Sequence, residues 1–163
     1  MKQSGVSMGT RKMAVIASKG ALDMAYPPLI LASTAAAMGW DVRVFFTFYG
    51  LQLLRKDLSG IALSPLGNPA LPMPLPLPVV VSALPGMQAM ASALMKARLK
   101  KKGVASLEEL RTACREAGVS FIACQMSADL FEFQAGDFID GIEHGGAATF
   151  LEFAGEADVC LFI

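Results

Sequence analysis

"MAVIASKGALDMAYPPLILASTAAAMGWDVRVFFTF", residues 13–48, changes its pattern twice, and those changes decide the fold. Residues 13–20 are a short apolar run ending in a small-residue turn, as a buried parallel strand does. Residues 22–38 read as a helix, with Pro27 and Pro28 tolerable only near its first turn. Gly39 closes that helix, and residues 41–48 alternate and then become wholly apolar, like a second central strand. "YGLQLLRKDL" follows as a short helix. Strand, helix, strand, helix with turn-sized connections predicts an α/β sheet with right-handed crossovers, whose chemistry lies at the C-terminal ends of its strands.

The second half continues the alternation. "SLEELRTACREAG", residues 106–118, is an amphipathic helix with a capping box from Ser106 and Glu109 and a terminating Gly118. "VSFIAC" is a third strand, followed by a short helix from Ser127 to Phe133. Residues 137–143 read as a weaker fourth strand, 145–157 as a last helix, and "DVCLFI" as a fifth strand. The fold class expected is therefore α/β: a single-domain, doubly wound, mostly parallel five-stranded sheet with helices on both faces. The chain has 163 residues, enough for one domain with a proper core. The polar residues 1–12 read as a flexible N-terminus without the apolar stretch of a secretory signal, so the domain spans 13–163 and a reducing cytoplasm is expected.

Hydrophobic residues make up 54% of the chain and charged ones only 17%. Such a composition demands burial of apolar surface beyond an ordinary core, in an oligomer interface or against a membrane. Between Asp57 and Lys96 lie 38 consecutive uncharged positions, 58–95, but seven prolines there rule out an uninterrupted membrane helix. This stretch reads as an apolar Pro-rich flap leading into a Met-rich helix at 86–103. Met87, Met90, Leu94 and Met95 share one side of that helix, where core or subunit packing is the first explanation and peripheral membrane contact the second. Lys96, Arg98, Lys100, Lys101 and Lys102 load its far end as a solvated face that suits the helix dipole. Fourteen basic residues balance fourteen acidic ones, so nucleic acid is not an expected partner.

Cys114, Cys124 and Cys160 are an odd number with no CxxC and no metal-ligand spacing, and His144 is the only histidine. Neither a disulfide framework nor a metal site is expected, and no phosphate-cradling motif points to a cofactor. Cys114 falls in the apolar stripe of its helix and Cys160 in the middle of an apolar strand, so both read as packed small hydrophobes. Cys124 differs because it falls where a strand ends and a helix begins. Backbone N–H groups and the dipole at such an end favour thiolate over thiol, the chemistry that a persulfide carrier or a peroxidatic cysteine needs. Lys19, at the end of the first strand, is a weaker candidate to stabilise the anion from the same crevice. Gln125 and Ser127 border the thiol, and Gly145-Gly146 would let backbone approach an anionic ligand, Gly146 being the position singled out. Asp129 reads as part of the helix's first turn rather than a base.

These pieces in their order, "LPGM" and the Lys-rich helix followed by the most specific segments "ACQMS" and "GGAATFLEFA", resemble the DsrE/DsrF/DsrH-like superfamily over nearly the whole of 13–163. The likeness is to its larger DsrE-like, "peroxiredoxin-like" branch. The resemblance implies a homo-oligomer engaged in sulfur relay, with the cysteine matching Cys124 receiving sulfane sulfur as a persulfide and passing it to a partner thiol. Rhodanese-like or TusA-like sulfur carriers and a heterodisulfide-reductase-like complex are the partners it implies. Such a sulfurtransferase-like carrier is as much co-substrate as enzyme. Two rivals stay open: a thiol peroxidase using Cys124, although the peroxiredoxin Pro-x-x-x-Thr-x-x-Cys pattern is absent, and an assembly module docking through the 58–95 flap.

Overall fold

The computed structural model describes residues 9–64 and 86–163. Residues 1–8, and the 65–85 portion of the apolar flap, lie outside the described residues. Five strands, β1 (Lys12–Ala17), β2 (Asp41–Phe46), β3 (Ser120–Cys124), β4 (Glu143–Gly145) and β5 (Val159–Phe162), form one sheet in the order β4-β3-β2-β1-β5, every pairing parallel. From β1 to β4 each strand lies one place further in the same direction; β5 then returns to the far side of β1. Winding reverses there, so helices cover both faces, as expected.

One face carries the larger core. Met13, Val15, Ala17, Val42, Val44, Phe46, Phe121 and Ala123 pack beneath α1 (Leu22–Ala37) and a helix at Leu107–Glu116. On the other face Ala14, Phe45, Ile122 and Cys124 meet Phe150 and Phe153 of the helix Ala147–Ala154. Phe45 and Phe150 stack there with ring centroids 5.1 Å apart. In chain order the helices after α1 are α2 (Met87–Lys101), α3 (Leu107–Glu116), α4 (Gln125–Leu130) and α5 (Ala147–Ala154).

Local chemistry explains most of these boundaries. Ser106 and Glu109 make the reciprocal capping box that starts α3. Helix α1 begins five residues before Pro27, because Leu22 and Ala25 are buried and anchor a first turn that the prolines leave two hydrogen bonds short. Its Asp23 carboxylate is free to accept from the backbone N–H and hydroxyl of Ser64.

Four expectations are corrected. β2 stops at Phe46, and the chain turns into a 3₁₀ helix, Phe48–Leu54, that crosses the end of β1. The crossing is so close that a Cβ on Gly50 would sit 2.0 Å from the Ala17 carbonyl oxygen, and one on Gly20 2.3 Å from that of Tyr49. The fourth strand is Glu143–Gly145, not 137–143: Phe138 is buried in the core and makes an isolated bridge to Arg55 instead. On α2, Met90 and Leu94 point to solvent while Ser92 is the buried residue, its hydroxyl accepting from the Leu63 N–H at 2.9 Å. Cys160 is exposed, not packed, because β5 is an edge strand whose Cys160 and Phe162 side is open; Phe162 is 72% exposed.

No described helix is long and apolar enough to cross a membrane.

Candidate functional site

Cys124 is the last residue of β3 and the N-cap of α4, with φ −65° and ψ 112°. Its side chain is 4% exposed and belongs to the smaller core with Ile122, Phe45 and Phe150. As a neutral thiol it caps nothing, since sulfur is a weak acceptor and α4 has no side-chain cap hydrogen bond. The donors around the sulfur favour the thiolate. Burial, the largest single influence, pushes the Cys124 thiol up; the Ser127 hydroxyl and N–H, the Thr47 hydroxyl and the Met126 N–H together outweigh it and bring the thiol below its ordinary value. The two N–H groups are the second and third of α4, the pair that an N-cap side chain normally satisfies.

Thr47 comes from the residue just after β2 and Ser127, fully buried, from the first turn of α4; their hydroxyl oxygens are 3.0 Å apart. β2 and β3 are neighbours in register, Phe46 beside Ala123, so the two hydroxyls arrive at the same end of the sheet. Hydroxyls linked in this way polarise one another and strengthen the donation to a buried anion. Thr47 escapes sequence reading, and its one signal is a lone hydroxyl at the end of the apolar run "VFF".

The other sequence candidates separate. Ser127 belongs to the site. Gln125 turns away, donating from Nε2 to the Asp129 carboxylate at 2.7 Å. Gly146 is the N-cap of α5, one residue past Gly145, which is the β4 register partner of Cys124. Gly146 is extended and has open space around it, whereas a Cβ on Gly145 would press to 3.2 Å from Ile122 Cγ2. Lys19 is exposed at the end of β1, two strands from β3, and is not among the groups that shift Cys124. The reversal point between β1 and β5, where ligands commonly sit in such sheets, is stitched shut by the Ser18 N–H and hydroxyl donating to the Ile163 carbonyl at 2.8 and 3.0 Å. Cys124 therefore lies at the β2–β3–β4 end of the sheet, away from that crevice.

Neither remaining cysteine reaches it. Cys114 is buried in the opposite core, where its thiol donates to the Leu29 carbonyl at 3.3 Å and burial pushes it up to about 11. Cys160 is level with Ser120 through the registers of β5, β1, β2 and β3. Four residues along and three strands across put it roughly 19 Å from Cys124. His144 faces the larger core side, its ring 6.0 Å from that of Phe138, and lines a groove of about 660 Å³ beside α4 with Gln125, Asp129, Glu132 and Phe133. No cluster of His, Cys, Asp and Glu suited to a metal ion occurs among the described residues.

The chain is thus a parallel α/β sheet with a donor-surrounded cysteine at a strand-to-helix junction, and comparison with known proteins gives its family. The chain matches the model of the DsrE/DsrF/DrsH-like family over residues 9–162, and it belongs to that family. It is 59% identical over 160 residues to the sulfur carrier protein DsrE2 of Allochromatium vinosum, covering 96% of this chain and all of that one. It is 31% identical to the uncharacterized protein YrkE of Bacillus subtilis, over 94% of this chain and 98% of the relative. The crystal structure of the ychN protein from E. coli superposes with a TM-score of 0.60 at 13% identity, covering 94% of this chain and all of that one, a likeness of fold alone.

Proposed function

We propose that this protein is a sulfur carrier that accepts sulfane sulfur on Cys124 and hands it to a partner thiol. The observation that carries the reading is the Cys124 sulfur held at the start of α4 among donors from Thr47, Met126 and Ser127 that bring its pKa down. The name of the 59% identical relative supports it. In the loading step the Cys124 thiolate attacks the outer sulfur of a donor persulfide, R–S–SH; the donor S–S bond breaks, a new S–S bond forms, and R–S⁻ leaves. In the unloading step a partner thiolate attacks that same outer sulfur and Cys124 departs as thiolate. Neither step changes the overall redox balance, and in both the Thr47 and Ser127 hydroxyls hold the charge that Cys124 carries.

The finer reading is a homo-oligomeric protein of the cytoplasm that exchanges sulfur with rhodanese-like or TusA-like carriers and with a heterodisulfide-reductase-like complex. Exposed apolar residues such as Phe162, Met90 and Leu94 are consistent with contact between copies. Cyanolysis tests the carrier role. After loading with polysulfide and desalting, cyanide releases about one thiocyanate per wild-type chain and none from Cys124→Ser, while Cys114→Ser and Cys160→Ser behave as wild type. Equal release from the Cys124 variant contradicts the assignment.

A further inference from the structure

The balanced charge of the whole chain conceals a division. Residues 116–163 hold nine of the fourteen carboxylates and no Lys or Arg, so the preceding 115 residues carry every one of the fourteen basic side chains. Cys124 lies within the acidic part. Its nearest strand neighbour, β4, contributes Glu143, the register partner of Ile122 and hence on the same sheet face as the thiol. The groove beside α4 adds Asp129 and Glu132, with His144 and no Lys or Arg in its lining. Cations do come near: Arg43 shares the thiol's sheet face but is held over the Phe153 ring, 4.4 Å from its centroid, Arg55 lies over the Phe133 ring, and Lys56 is tied to the Gly136 carbonyl at 2.7 Å.

Beside these carboxylates the surface is apolar. Met126 and Leu130 are 66% and 63% exposed on α4, and Phe48 and Tyr49 are exposed on the 3₁₀ helix that follows Thr47. Among the described residues the non-glycine positions with positive φ are Phe48, at +47°, and Glu132, at +57°. One belongs to the apolar surface and the other to the carboxylates beside it. Left-handed backbone is costly for a bulky residue such as Phe, and strain of this kind collects at binding surfaces.

We propose that the face around Cys124 docks a protein sulfur carrier whose own thiol is ringed by Lys and Arg, with Phe48, Tyr49, Met126 and Leu130 at the centre of contact and Asp129, Glu132 and Glu143 facing the partner's cations. This rests on the sulfur-carrier reading and names the class of donor or acceptor. Charge complementarity selects the occupant: the carboxylates speed encounter with a basic surface and slow approach of free anions such as polysulfide. A basic ring also lowers the pKa of the partner's thiol, which prepares it to attack or to leave.

The test uses thiol–disulfide exchange in a Cys160→Ser background, where Cys124 is the reacting thiol. Three short peptides, each with one Cys flanked by Lys, Ser or Glu, are supplied as mixed disulfides with 5-thio-2-nitrobenzoate. Attack by the Cys124 thiolate forms a Cys124–peptide disulfide and releases the coloured thiolate. At about 0.02 M salt the Lys-flanked peptide should react on the order of tenfold faster than the Glu-flanked one, and the ratio should fall toward one at about 0.5 M. Asp129→Asn, Glu132→Gln and Glu143→Gln combined should cut the low-salt ratio several-fold while leaving the Ser-flanked rate within about twofold of its starting value, which also shows that the site remains folded. A wild-type ratio near one, or an unchanged ratio in the triple variant, overturns the docking face. Cyanide-releasable sulfur on Cys124 without charge preference leaves the carrier reading standing and removes this inference; charge preference without loadable sulfur removes the carrier reading, and with it a sulfur carrier as the occupant, and leaves only an acidic face that favours basic thiols.

Discussion

Thr47 and Ser127 are separated by 80 positions in the chain, yet their hydroxyl oxygens lie 3.0 Å apart at the end of β3. One of the two protons bridges the oxygens and the other is left for Cys124, and the linked pair helps bring its thiol below its ordinary value. Thr47→Val keeps the shape of the side chain and removes one donor, so the Cys124 midpoint should rise and the thiolate fraction at neutral pH should fall. The pH dependence of iodoacetamide alkylation in a Cys160→Ser background measures it, and an unmoved midpoint would remove Thr47 from the site.

Ser127→Ala should raise the same midpoint and, because Ser127 is fully buried, should also leave the Thr47 hydroxyl without its partner. A stability loss of roughly 1–2 kcal/mol in urea is expected alongside the kinetic effect. Thr47→Val should cost a comparable amount, since it leaves the fully buried Ser127 hydroxyl without its partner.

Stability should fall in alkali because of Cys114. Its thiol is pushed up to about 11 by burial, so the folded protein holds that proton more tightly than the unfolded chain does. The stabilisation is fully present below the unfolded thiol pKa and is lost as pH rises through the folded one, about 3 kcal/mol between roughly pH 9 and pH 11. Cys124, lowered in the fold, contributes with the opposite sign. Cys114→Ala should flatten the decline in denaturation midpoint over that range, although it lowers stability at pH 7; an equally steep decline in the variant would mean another group is responsible.

The 3₁₀ helix that follows Thr47 is fixed from below by Arg111. This buried guanidinium donates from one nitrogen to the Leu53 and Arg55 carbonyls, at 3.0 and 2.6 Å. Arg111→Met should destabilise the protein by roughly 2–4 kcal/mol, because two carbonyls lose a charged donor. Gly50→Ala should do comparable damage, since its Cβ would meet the Ala17 carbonyl oxygen at 2.0 Å. Both variants should also raise the Cys124 midpoint by displacing Thr47; destabilisation without that rise would show that the thiol does not depend on this turn.

The alternation of apolar runs and amphipathic stretches made β1, α1, β3 and α3 legible within a residue or two, and the junction at Cys124 was legible because a strand-like run meets helix-forming residues there. What local pattern does not carry is register. "DFIDGIE" alternates like a strand, but Phe138 is claimed by the core, and the strand that pairs with β3 is the three-residue Glu143–Gly145. "DVCLFI" is uniformly apolar, and nothing within it says that β5 lies at an edge with Cys160 open to solvent. Thr47 was missed for the same reason: its meeting with Ser127 depends on β2 and β3 being neighbours, which no spacing in the chain encodes. The charge division around residue 116 was fully visible in the sequence and was hidden only by summing over the whole chain.

The central claim is that Cys124 alone takes up the sulfur. Intact-protein mass spectrometry of wild type and Cys124→Ser, after exposure to polysulfide and again after dithiothreitol, tests it most directly. The account predicts a gain of one sulfur mass on wild type, reversed by dithiothreitol, and no gain on the variant. An equal gain on both, or none on wild type, contradicts it.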